Sequence, residues 1–250
     1  MSEEEFAIPV PPLDAAPAIV PNGRDVALVF LSTLFILGGS FGIIYLMPGS
    51  RAVARALGAG IIVVGLAWQN LSILGGIACL RLRGHVNPFA VLGLRPLPWR
   101  GAIISVAMGI SSGILISAAV RALSQLMGQP LGVSPEILLA PPGADNVVSF
   151  LSVLFLAGIA VPFFEEALFR GLLYAWLRHR IGIWPAAILS ALAFGLSHGE
   201  LGQFIFASLF GIVLAQLYQR SNSLWASIVA HMANNSMAIL GVWLPHLLNR

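Results

Sequence analysis

Long apolar runs, separated by short polar or proline-rich stretches, set the pattern of this chain. Val26–Met47 carries no charge over about the 20 residues that a membrane-spanning helix needs. Pro48-Gly49 ends that run, and Arg51 and Arg55 follow it. Ala56–Leu80 predicts a second span, with Trp68 and Gln69 as its only unusual members. Gly101–Val120 predicts a third, rich in Gly, Ser and Ala, which suits close helix packing. Val147–Leu177 is too long for one straight span and too short for two, so it predicts one long helix kinked at Pro162. Ile183–His198, Leu201–Tyr218 and Ser223–Leu244 complete the set, punctuated by Gly182, Gly199 and Ser221-Asn222-Ser223. The expected fold is all-α: a polytopic transmembrane helix bundle of seven spans, or eight if Val147–Leu177 crosses twice. A polar cavity is expected in its C-terminal half.

The breaks between runs differ in kind. Met1–Gly23 is acidic at Glu3, Glu4 and Glu5, rich in proline and without periodicity, which predicts a disordered tail. It has no basic n-region, so it does not read as a signal peptide. Arg81–Arg100 interleaves arginines and prolines with apolar residues. That suits a segment at headgroup level, with Trp99 as an interfacial anchor. Gly128–Asn146 holds Pro130, Pro135, Pro141 and Pro142 and predicts a loop. Three parts follow: a tail (1–23), N-terminal helices with the interfacial segment and loop (24–146), and a C-terminal transmembrane core (147–250).

Composition agrees with the membrane reading. The chain is 58% hydrophobic and 9% charged, against about 25% charged residues in soluble domains. All 13 basic residues are arginine, which suits a GC-rich bacterial coding bias. No basic cluster resembles a nucleic-acid surface, so no nucleic-acid partner is expected, only membrane lipids and a substrate. Cys79 is single and lies in an apolar run, which excludes an intrachain disulfide. With seven spans, Arg24, Arg81, Arg83, Arg95, Arg100, Arg178, Arg180 and Arg220 share one side, and Arg51, Arg55, Arg121 and Arg250 the other. The positive-inside rule then puts the N-terminus in the cytoplasm, and the chain in a bacterial plasma membrane as a multi-pass protein.

Against this background a few polar residues stand out. Ionisable groups in hydrocarbon are costly and usually functional. Val161–Arg180 places Glu165, Glu166 and Arg170 among apolar residues. Glu166 and Arg170 are four apart, so on a helix they share a face and can pair. Glu165 is turned by about 100° from Glu166 and is left for other work. His198 ends the run AFGLSH, and His231 and Asn235 lie one turn apart in SIVAHMANNS. Three stretches thus offer acid–base groups that could meet around one wet cavity. Water attack on an amide fits them. A desolvated carboxylate such as Glu165 can serve as base, with His198 orienting the water. His231 and the Asn235 amide can donate to the oxyanion.

Other designs fare worse. There is no H-E-x-x-H, and Asp occurs only at Asp14, Asp25 and Asp145, outside the predicted spans. Gly195-Leu196-Ser197-His198-Gly199 matches G-x-S-x-G but follows a helical run instead of the strand that a nucleophile elbow needs. A non-catalytic immunity or scaffold protein, a zinc enzyme using Glu165, His198 and His231, and a transporter remain as alternatives. Paired broken spans in matching halves, the mark of a transporter, are missing.

Glu165-Glu166-x-x-x-Arg170, Phe194-x-x-x-His198 and His231-x-x-x-Asn235 run in this order, about 33 residues apart. Together they resemble the CPBP family, the CAAX-protease and bacteriocin-processing (Abi) membrane proteins. Leu92–Trp99, LGLRPLPW, looks like the connector often seen before that domain. The resemblance implies an intramembrane glutamate-type endopeptidase acting on membrane-associated or lipidated proteins and peptides, with no cofactor and no required metal. It implies that Glu165 and His198 activate water, that His231 and Asn235 stabilise the oxyanion, and that Glu166 and Arg170 support the site. Some bacterial relatives act instead as immunity or regulatory proteins.

Overall fold

The computed structural model describes residues 21–46, 60–85, 87–131 and 147–248. Residues 1–20 of the tail expected over 1–23, most of the loop expected over 128–146, and Arg51 and Arg55 lie outside them. The described residues hold seven helices and no strand: α1 (Gly23–Leu46), α2 (Gly60–Ala78), α3 (Trp99–Leu126), α4 (Val147–Ile181), α5 (Ile183–Leu196), α6 (Leu201–Ser221) and α7 (Leu224–Leu248). Two short 3-10 turns follow α2: Cys79–Arg83 runs from the end of the expected second span into the segment expected at headgroup level, and Pro88–Leu92 lies within that segment. Three helices, α3, α4 and α6, are long and apolar enough to cross a membrane, and α5 is apolar but shorter. Leu115, Leu151 and Phe155 stand exposed on α3 and α4. Such apolar surface suits lipid and not water.

Local chemistry explains the boundaries. Pro98 precedes α3 with extended backbone, and Gly128, at φ +66°, follows its end. α3 therefore outruns its apolar stretch at both ends. α4 is one continuous helix of 35 residues, not two spans. It meets Pro162 with a π-type stretch over Leu156–Ala160. A proline inside a helix lacks an N–H and clashes with the carbonyl four residues earlier; the wider turn accommodates both defects. A second π stretch, Ala167–Tyr174, begins directly after the glutamate pair. α5 ends at Leu196, so His198, expected inside a span, stands beyond it in the turn closed by Gly199 at φ +77°.

The chain forms two compact units. One is built chiefly from Phe89–Gly132 and Glu166–Asn234, the other from Arg24–Pro88, Val133–Glu165 and Asn235–Arg250. The first packs Phe210, Leu214, Leu217, Ala226 and Ala230 together. Its helices approach closely through glycine: a Cβ at Gly109 on α3 would strike the Ala230 backbone carbonyl on α7, and one at Gly195 would strike Ser208 and the Phe204 carbonyl. Small residues allow such approaches in membrane helices. The second unit packs Val153 and Ala157 of α4 with Ile239 and Trp243 of α7. Asp25, read as lying outside the spans, is a buried member of the first turn of α1. Arg83 Nε and His85 Nε2 lie 3.4 and 3.3 Å from its carboxylate oxygens.

Candidate active site

In the first unit the α4 segment beginning at Glu166 carries a fully buried ion pair. Arg170 Nη1 donates to Glu166 Oε1 at 2.8 Å, as the four-residue spacing predicts. The same oxygen accepts from His231 Nδ1 at 2.9 Å. Glu166 therefore links α4 to α7 as well as pairing with Arg170. The guanidinium carbon of Arg170 stacks 4.4 Å from the Phe194 ring centroid. Gly211 on α6 makes room for it: a Cβ there would approach Arg170 Nη2 to 2.7 Å. A charge buried this deeply must be paired and hydrogen-bonded. The residues holding Arg170 thus come from α4, α5 and α6.

Phe194 joins the two imidazoles. Its ring meets those of His198 and His231 edge-on, at centroid separations of 4.9 and 5.7 Å. Phe210 of α6 packs on His231 from another side at 5.7 Å. His198 is half-buried, and its Nδ1 lies 2.9 Å from the Phe194 carbonyl. That carbonyl belongs to the last turn of α5, where helical donors run out. A carbonyl only accepts, so Nδ1 carries the hydrogen, and the neutral ring keeps its lone pair on Nε2. The same logic puts a hydrogen on His231 Nδ1, facing Glu166. His231 Nε2 can then donate only when the ring holds both protons.

The connector Leu92–Trp99 fixes where α7 starts. Leu224 N–H donates to the Gly93 carbonyl at 3.0 Å, and Ser223 Oγ donates to the Arg95 carbonyl at 2.5 Å. Gly93 sits at φ +72°, and a Cβ there would collide with the Tyr218 hydroxyl. Unpaired donors at a helix start need such partners.

The second unit holds the other two candidates. Glu165 is buried, and Gln69 Nε2 of α2 donates to its Oε1 at 3.0 Å. Asn235 Nδ2 donates to the Ala157 carbonyl of α4 at 3.0 Å. Of the six expected residues, Arg170, His198 and His231 gather around Phe194 in the first unit, and Glu166 joins them through Arg170 and His231. Glu165 and Asn235 each have a partner within the second. In the sequence Gln69 stands out only as an oddity in an apolar run, and nothing there signals Gly211, Phe210 or the Ala157 carbonyl. Among the described residues, no three His, Cys, Asp or Glu side chains form a group that could hold a metal ion.

Comparison with known proteins singles out the same part of the chain. Residues 147–237 match the family model for the type II CAAX prenyl endopeptidases, described as Rce1-like. The chain is also similar to the "Putative membrane peptidase YdiL" of Bacillus subtilis (strain 168), with 26% identity over 96 residues. That alignment covers 38% of this chain and 39% of YdiL, so the chain spans about two fifths of the relative's length. No solved structure matches. The resemblance to the CAAX-protease family therefore holds over 147–237, a stretch containing all three motifs but not Gln69.

Proposed function

We propose that this chain is a membrane-embedded glutamate endopeptidase that cleaves membrane-associated or lipidated peptides with activated water. One observation carries the division of labour. Glu166 Oε1 already accepts from both Arg170 and His231, so the acid–base role falls to Glu165. Glu165 takes a proton from water, and the hydroxide adds to the scissile carbonyl. His198, with its Nε2 lone pair, accepts a hydrogen bond from the remaining O–H and holds the nucleophile in line. Protonated His231 Nε2 and the second N–H of Asn235 stabilise the oxyanion, each donor being worth about 3–4 kcal/mol. Glu165 then returns its proton to the leaving amine as the C–N bond breaks. Glu166 and Arg170 keep His231 in place. The substrate is reached from the lipid or its surface, and the chain lies in a bacterial plasma membrane with its N-terminus cytoplasmic.

The test uses purified full-length protein in phospholipid vesicles and a fluorogenic farnesylated peptide ending in a CAAX sequence. Wild type is expected to cleave the probe. Glu165→Ala and His198→Ala are each expected to lose at least about 10²-fold in rate while retaining the wild-type circular dichroism spectrum. Full activity in both variants would defeat the mechanism.

A further inference from the structure

We infer that Pro162 is a positioning residue for Asn235, acting through the backbone carbonyl of Ala157. In an α-helix the Ala157 oxygen would accept from the N–H of Val161; in a π-helix it would accept from residue 162. Neither donor serves it here. The Val161 N–H is directed to the Leu156 oxygen, and Pro162 has no N–H. Ala157 is buried beside Val153, Ile239 and Trp243, where an unsatisfied carbonyl is costly. The Asn235 amide fills the gap with its 3.0 Å hydrogen bond.

The surroundings make this a fastener and not a chance contact. Ile239 and Trp243, four and eight residues beyond Asn235, share its face of α7 and pack on Val153 and Ala157. Gly158, next to Ala157, permits the approach, since a Cβ there would meet Ser236 Oγ at 3.0 Å. A carboxamide is planar and carries two N–H groups. Once one is committed to Ala157, the direction of the other is set. Pro162 thus aims the Asn235 donor while lying three residues before Glu165 on the same helix. The positioning role rests on the proposed peptidase reading; the fastening itself does not.

A double-mutant cycle on the full chain in lipid nanodiscs separates the two. Asn235→Ala is expected to lower Tm by about 2–4 °C, the loss of one buried hydrogen bond in a chain of this size. In a Pro162→Ala background, which restores an N–H at position 162, the same change is expected to leave Tm within about 1 °C. Equal losses in both backgrounds would overturn the inference. Asn235→Leu keeps the approximate size but carries no donor, so it should lower Tm as Asn235→Ala does; wild-type Tm in Asn235→Leu would also overturn it. That arm stands even where Pro162→Ala fails to fold. With the farnesylated probe, Pro162→Ala is expected to lower kcat by about 10²-fold, the effect of a misaimed group, with KM within twofold. Thermal coupling with an unchanged kcat would retain the fastener and overturn the positioning role.

Discussion

Replacing Arg170 by Met removes a charge from the most enclosed ion pair in the described structure. Arg170 and Glu166 are both fully buried. Without the guanidinium, Glu166 keeps His231 as partner but loses the cation 2.8 Å away. Removing one partner of a buried pair costs about 3–5 kcal/mol, chiefly because the other charge stays buried. Loss of the stacking on Phe194 adds to this by up to about 2 kcal/mol. For a chain of this length each kcal/mol shifts Tm by about 2–4 °C, so a total of about 3–7 kcal/mol is expected to lower the Tm of Arg170→Met by about 6–28 °C. Glu166→Gln should also destabilise. The double variant removes both charges and should be clearly milder than the sum of the singles. Arg170→Lys should rescue only in part, since an ammonium cannot both reach Glu166 and stack as a plane on Phe194. The assay is thermal unfolding of purified protein in nanodiscs, followed by circular dichroism. A Tm for Arg170→Met within about 2 °C of wild type, or strict additivity in the double variant, would show that the buried pair does not hold the fold in this way.

Gln69→Leu is expected to lower kcat on the farnesylated probe, because it removes the amide that donates to Glu165; unchanged kcat would show that this bond does not orient the base. Gly109→Ala should cost about 1–3 kcal/mol, measured by thermal unfolding, because its Cβ would meet the Ala230 backbone, which cannot turn aside. Gly65→Ala, with nothing within 4 Å of its Cβ, is the control and should be neutral or stabilising. Chelator treatment is expected to leave the cleavage rate unchanged, with no stoichiometric zinc by elemental analysis; zinc at one per chain and chelator-sensitive turnover would favour the Glu165, His198 and His231 metal alternative.

Local periodicity made some of this structure legible in the sequence. The Glu166–Arg170 pair follows from a four-residue spacing, and α4 follows from an apolar run too short for two crossings. Pro162 announced a disturbance, although its form, a π stretch, depends on how the backbone regains its hydrogen bonds. The expected span runs two residues past the end of α5, because nothing in the sequence breaks the helical run before Gly199, whereas the helix already ends at Leu196. Contacts made by folding were not legible. His231 reaches Glu166 across 65 residues, and Gln69 reaches Glu165 across 96. No residue type signals a backbone carbonyl such as that of Ala157, so the partner of Asn235 could not be named in advance. Glycines such as Gly211 and Gly109 are legible as small residues, but what each makes room for appears only in three dimensions.

The role proposed for Glu165 is that of water-activating base in a membrane peptidase. Its most direct test is quantitative mass spectrometry of membrane-derived peptides from cells carrying the wild-type chain or Glu165→Ala at equal abundance. New protein termini and released fragments should appear with wild type and vanish with Glu165→Ala. Identical peptide populations in the two strains would contradict it.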